Sequence, residues 1–246
     1  MPTVPSDFSP IGELLAIHSR MPVKEPDESP EDVVIGNKSK PFGEWQKDFG
    51  IPFRSRECSF LNYEVRTPRH AIAIETAQLL AKEVCGSQKR EVRPRIFCGT
   101  TGTGKTHLAC AVVAMALRAG KVSRYLTASD IARSVRSSYA RGAEFTEEVI
   151  LSKLVNVPFL VIDEVGVGLG SLHETAMIHD TITKRYEAMA PTLLISNLGQ
   201  MDLSKYLGER IMDRFREDNA QLLVFDWESE RKEIMREKIE EQKGAK

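Results

Sequence analysis

One run of eight residues, Gly99-Thr100-Thr101-Gly102-Thr103-Gly104-Lys105-Thr106, joins three glycines to a lysine and a terminal hydroxyl. The fixed positions are those of the phosphate-binding pattern G-x-x-x-x-G-K-[ST]. Glycines let a loop wrap closely around an anion, and the loop amides then point inward as donors. Lys105 is placed to reach the outer phosphates of a nucleoside triphosphate, and Thr106 to hold Mg²⁺. His107, directly after the loop, joins the nucleotide-binding set by position.

Binding alone does not cleave a phosphoanhydride; a metal ligand, a group that orients water and a source of positive charge are also needed. Asp163 and Glu164 close the apolar run Phe159-Leu160-Val161-Ile162. A carboxylate there can bind Mg²⁺ through its water shell, and its neighbour can orient the attacking water. Asn197 follows a second apolar run, Thr192–Ser196, and can hydrogen-bond a terminal phosphate; a simple turn asparagine is the other reading. Arg210, Arg214 and Arg216 alternate with Ile211, Met212 and Phe215. They read as a helix with one apolar face, whose guanidinium groups either solvate its outer side or stabilise charge in a neighbouring subunit's site.

These groups need a frame that brings distant segments to one edge. A short β-prone run, Arg95–Cys98, precedes the phosphate loop, and an Ala- and Leu-rich helix from Thr106 to Ala119 follows, closed by Gly120. Further strands are expected at 123–127, 159–162, 192–196 and 222–225. Helices are expected at 71–84, from a Ser129 cap to about 140, from a Thr146 cap to about 155, and from a capping box at Ser171 up to Pro191. Strands alternating with helices, and wholly apolar where they run through the middle, give an α/β fold with a parallel sheet between helices.

The chain has 246 residues, a formal net charge of −1 and 41% hydrophobic residues, which suits one or two ordinary globular domains. That charge excludes a uniformly basic coat, so any nucleic-acid contact must be local. No apolar run is long enough to span a bilayer, no signal peptide is evident, and the four cysteines lack metal-type spacing. A cytoplasmic protein with reduced thiols and no membrane contact is expected. One local patch, Arg118 to Arg141, holds six basic residues against Asp130. It includes Arg133, Arg136 and Tyr139, as a single-strand contact requires; a solvated helix face with Tyr139 in the core also fits.

Eight of the 12 prolines precede Cys58, so the chain is divided there into residues 1–57 and 58–246. In the first part, Ile11, Leu14, Leu15 and His18 share one face of a short helix, which must pack on its own body or on a partner. Residues 24–41 read as a mobile acidic linker, and Phe42–Phe49 as a second short helix. The tail after Trp227 reads as a charged helix.

Taken together, Gly104-Lys105-Thr106-His107-Leu108-Ala109, Val161–Gly166, Leu207–Phe215 and Phe225-Asp226-Trp227-Glu228-Ser229 resemble the DnaC family of bacterial replicative helicase loaders. The resemblance continues through Cys58–Tyr63 and, more weakly, Ile11–Leu15 and Trp45–Lys47. It implies an AAA+ nucleotide-binding fold behind a small helical N-terminal region, and an ATPase that delivers a hexameric DnaB-type helicase onto single-stranded DNA. It implies ATP and Mg²⁺ at the loop residues, with Thr106 and Asp163 toward the metal and Glu164 beside them. Asn197 then takes the place of a first sensor, and Arg214 that of an arginine finger acting across self-associated subunits. Arg231 takes the place of a second sensor. Ser171 and His173 join Tyr139 at DNA, and the helix at Ile11–Met21 grips the helicase. The phosphate loop and acidic pair also resemble IstB-type transposition helpers, which act on duplex DNA.

Overall fold

The computed structural model describes residues 32–35, 38–86, 92–167 and 172–229; side chains at 32–40, 45, 173 and 174 are left aside. The elements, in chain order, are β1 (Asp32–Ile35), β2 (Lys38–Pro41), α1 (Phe42–Asp48), a 3₁₀ turn at Phe53–Ser55, and α2 (Pro68–Gly86). Then come β3 (Arg95–Gly99), α3 (Lys105–Arg118), β4 (Ser123–Thr127), α4 (Ala128–Ser137), α5 (Glu147–Asn156) and β5 (Phe159–Asp163). The last are α6 (Leu172–Glu187), β6 (Thr192–Ser196), α7 (Gln200–Leu207), α8 (Glu209–Glu217) and β7 (Gln221–Phe225).

Five strands form one sheet in the order β4-β5-β6-β3-β7, and every pairing is parallel. Parallel neighbours need crossovers, and the helices supply them on both faces. The apolar strand residues alternate strictly between two cores. Phe97, Phe159, Val161, Leu193, Ile195, Leu223 and Phe225 face α2 and α3. Ile96, Cys98, Leu160, Ile162 and Leu194 face the side of α4 to α8. A strand buried on both faces has no polar alternate, which is why these runs are continuously apolar. The carboxyl ends of β3, β5 and β6 lie at one edge. Strand order reverses around β3, where an open α/β sheet leaves a crevice.

Two buried arginines tie helices to this sheet. Arg95 of β3 pairs with Glu83 of α2 at 3.0 Å. Arg185 of α6 is fully buried and donates to the carbonyls of Leu154, Val157 and Pro191 at 2.6, 3.0 and 2.5 Å, and to the Thr192 hydroxyl at 2.9 Å. It satisfies the carbonyls at the end of α5 with no carboxylate beside it among the described residues, and burial works against its charge.

Most expected elements form where the sequence places them. Two expectations are corrected. The supposed linker carries an antiparallel hairpin, β1 with β2, because the β-branched run Val33-Val34-Ile35 outweighs the acids around it. The cap of α4 is Thr127, not Ser129: its hydroxyl accepts from the Asp130 amide at 3.0 Å while Asp130 accepts from Thr127, and the helix ends at Ser137. Within the basic cluster, the Arg118 guanidinium lies 4.4 Å from the Phe42 ring centroid. Residues 42–57 pack on the sheet domain: Gln46 and Ile51 are buried, and Phe49 accepts a hydrogen bond from the β4 backbone. The helix face of Ile11, Leu14, Leu15 and His18 lies outside the described residues, as does the charged tail.

Candidate functional site

A cleft of about 570 Å³ opens where β3, β4 and β5 end. Gly102, Lys105 and Thr106 of the loop and α3 line one side, and Asp163, Glu164 and Asn197 line another. The loop is left-handed at Gly102 and Gly104. At Gly104 the φ of +88° coincides with close packing: a Cβ there would stand 2.7 Å from Cε2 of Tyr63. Only glycine meets both demands. Behind the loop, Tyr63, His70, His107 and Trp227 form an aromatic layer, with centroids 5.4 Å apart for Tyr63–His107 and 4.7 Å for His70–Trp227. The Trp227 indole N–H donates to the Thr103 carbonyl at 3.2 Å, and a His107 ring nitrogen meets the Ser59 carbonyl at 2.9 Å. The Phe225–Ser229 signature thus braces the loop from behind, a role no spacing pattern reveals.

The ammonium of Lys105 folds onto the loop itself, donating to the carbonyls of Gly99 and Thr100 at 2.9 and 2.5 Å. Burial pushes its pKa down to about 8, against the pull of Asp163 and, less strongly, Cys98. The Thr106 hydroxyl donates to Oδ2 of Asp163 at 2.9 Å, and the Glu164 amide to Oδ1 at 2.6 Å. Glu164 is exposed at the cleft and left-handed at φ 59°, a strained backbone for a residue with a side chain. Ser196 locks the other rim, donating to the Val165 carbonyl at 2.6 Å and accepting from the Leu198 amide at 3.1 Å; Asn197 between them is exposed at the cleft.

The donor set fits Mg²⁺ with a polyphosphate. Thr106 and Asp163 offer hard oxygens from one point, and a divalent ion of that size takes few protein ligands and keeps water and phosphate oxygens for the rest. The Lys105 cation and the N-terminus of α3 supply the counter-charge.

Other expected residues fall elsewhere. Arg214 does not line its own cleft. It lies on α8, 15% exposed, with Nη2 3.3 Å from Glu187 and the guanidinium 5.1 Å from the Tyr186 ring centroid. Its Nη1 is buried without a hydrogen-bond partner among the described residues. Ile211, Met212 and Phe215 form the buried face of that helix, as expected, while Arg210 and Arg216 are exposed. Arg133, Arg136 and Tyr139 are exposed on and just after α4, so Tyr139 is not a core residue; its hydroxyl donates to Glu147. His173 belongs to the first turn of α6, and Ser171 and Arg231 lie outside the described residues. Sequence reasoning missed Arg54 and Cys58, which line the cleft from the segment before α2, and Tyr125, whose hydroxyl reaches Asp163. No motif marks them; the resemblance through Cys58–Tyr63 was the one available signal.

A phosphate loop opening a helix after β3, an acidic pair closing β5 and a parallel sheet of this order define an AAA+ P-loop nucleotide-binding protein. Residues 82–233 match the family described as IstB-like ATP binding protein. The replicative helicase loader DnaC of Escherichia coli K12 is 35% identical over 185 residues, covering 75% of this chain and 74% of that protein. The chain belongs to this DnaC- and IstB-like family of ATP-binding proteins. A crystal structure of the DnaC helicase loader superposes with a TM-score of 0.61 at 23% identity, over 71% of this chain and all of that one. AMPPCP-bound DnaA of Aquifex aeolicus superposes at 0.58 with 21% identity, over 77% of this chain and 57% of that one. At such identities these two structures speak to the fold. No helix among the described residues is long and apolar enough to cross a membrane.

Proposed function

We propose that the chain is an ATP-controlled loader that delivers a hexameric DnaB-type replicative helicase onto single-stranded DNA. The observation that carries this is the 35% identity to a helicase loader across 185 residues. Lys105 and the loop amides hold the phosphates, Thr106 and Asp163 hold Mg²⁺, Glu164 orients water and Asn197 reads the terminal phosphate. The metal, when bound, screens the charge that develops on the transferred phosphoryl group. Arg214 lies outside its own cleft and completes the site of a neighbouring copy, so hydrolysis reports assembly and acts as a slow switch. Arg231 acts from the tail as a second sensor.

Arg133, Arg136 and Tyr139, with Ser171 and His173, contact single-stranded DNA. Ile11, Leu14, Leu15 and His18, in the tethering region 1–57, hold the helicase; the protein works in the cytoplasm. In the full-length chain, Leu14→Asp with Leu15→Asp abolishes co-purification with the DnaB-type helicase of the source cell but leaves ATP binding intact. A wild-type chain that binds no such helicase refutes the loader reading. The IstB-like family match supports a second reading, a transposition helper on duplex DNA. ATP-dependent filaments on duplex DNA with no helicase binding would establish it instead.

A further inference from the structure

Tyr125 belongs to no nucleotide-binding motif, yet it touches the acidic site directly. It lies on β4, 4% exposed, and its hydroxyl donates to Oδ2 of Asp163. That oxygen also accepts from Thr106, while Oδ1 accepts the Glu164 amide. Three donors from three elements, β4, the start of α3 and the turn after β5, therefore fix the carboxylate in position and rotation. A phenylalanine would fill the same space, so the hydroxyl is there for its proton.

The backbone of the same residue is clamped from the opposite direction. The Tyr125 amide donates to the Phe49 carbonyl at 2.9 Å. Gly50 follows at φ +88°, and a Cβ there would stand 2.1 Å from the Tyr125 carbonyl oxygen. The turn is held in place by the end of α1: the Ile51 amide donates to the Gln46 carbonyl at 2.9 Å, and the Gln46 side chain to the Arg56 carbonyl at 2.7 Å. An unbroken chain of contacts thus runs from residues 46–56, the last part of the N-terminal region, to the Asp163 carboxylate.

We propose that Tyr125 is a positioning residue that presents Asp163 to Mg²⁺, and that the Phe49–Gly50 turn sets it, so that the seating of residues 42–57 tunes the metal site. The inference rests on the ATP–Mg²⁺ reading of the cleft. Groups that hold a metal-binding side chain in place typically matter about tenfold or more for metal affinity.

The test uses the full-length protein and a fluorescent ATP analogue, with Mg²⁺ titrated into the nucleotide complex and binding, not turnover, as the readout. Tyr125→Phe is expected to raise half-saturating Mg²⁺ roughly tenfold. Affinity for the metal-free nucleotide stays at the wild-type value. Gly50→Ala and Gln46→Met, which disturb the turn in different ways, shift it in the same direction, and neither adds to Tyr125→Phe in a double variant. Unchanged or lower half-saturating Mg²⁺ in Tyr125→Phe overturns the inference while leaving the ATP–Mg²⁺ reading standing. Full additivity, or no shift from either turn variant, overturns the link to residues 42–57. A wild-type complex indifferent to Mg²⁺ removes the reading and the inference together.

Discussion

Raising the pH from 7 to 9 should weaken nucleotide binding about tenfold, through Lys105 alone. Its ammonium must be protonated to pair with phosphate, and burial lowers its pKa in the free protein to about 8. About nine-tenths of the chains are then charged at pH 7, half at pH 8 and about one-tenth at pH 9, the arithmetic of a single proton. Bound phosphate favours the charged form, so association releases no proton at pH 7 and takes one up at pH 9. The observed affinity falls between those limits by about 1.4 kcal/mol. Phosphate groups are already ionised over this range, with a second pKa of about 6. Cys98, the nearby thiol, is pushed up to about 11 by burial and stays neutral. The assay is a fluorescence titration of an ATP analogue without metal, at constant ionic strength. Lys105→Arg, whose guanidinium stays charged, should bind more weakly at pH 7 but show no slope to pH 9. A wild-type affinity flat from pH 7 to 9, or the same slope in Lys105→Arg, refutes the reasoning.

Other perturbations separate the site from the frame. Gly104→Ala places a Cβ against Tyr63 in a left-handed backbone, and should abolish nucleotide binding while circular dichroism stays native. Arg185→Met takes the side-chain donor from the Leu154 and Val157 carbonyls and leaves Pro191 only its bond from the Leu160 amide, and should cost about 3–5 kcal/mol, read as a lower urea midpoint. Arg214→Ala should keep wild-type ATP affinity and lower assembly-dependent turnover on the order of a thousandfold. Mixing Arg214→Ala with Lys105→Ala chains should restore part of that turnover, and no rescue at any ratio counts against a site shared between copies.

How much of this could be read in the sequence follows from the range of each interaction. The strands were legible because a parallel sheet covered on both faces needs unbroken apolar runs, and Phe159–Ile162 and Thr192–Ser196 can hardly be anything else. Thr146 was legible as a cap because its partner is three residues away. The α4 cap was misplaced by two residues because Ser129 and Thr127 are chemically equivalent, and only the reciprocal bond with Asp130 separates them. The hairpin at 32–41 was missed because its acids and prolines outweighed three β-branched residues in a composition count.

The candidate site divides along the same line. Lys105, Thr106, Asp163 and Glu164 belong to short motifs, since a backbone loop and a strand end each bring their own groups to the cleft. Tyr125 and Trp227 carry no such spacing. Tyr125 acts 38 residues from Asp163 through a side-chain bond between adjacent strands, and Trp227 acts 124 residues from Thr103 through an indole on a carbonyl. Both depend on strand order: β4 must lie beside β5, and β7 beside β3, before either contact exists. That order is set by the two-sided core, and so by residues far from the cleft. Motifs therefore report which atoms meet the ligand, while the groups that hold those atoms become visible only once the sheet is assembled. On the loader reading Arg214 stands one level higher still, because the role proposed for it depends on the packing of two chains.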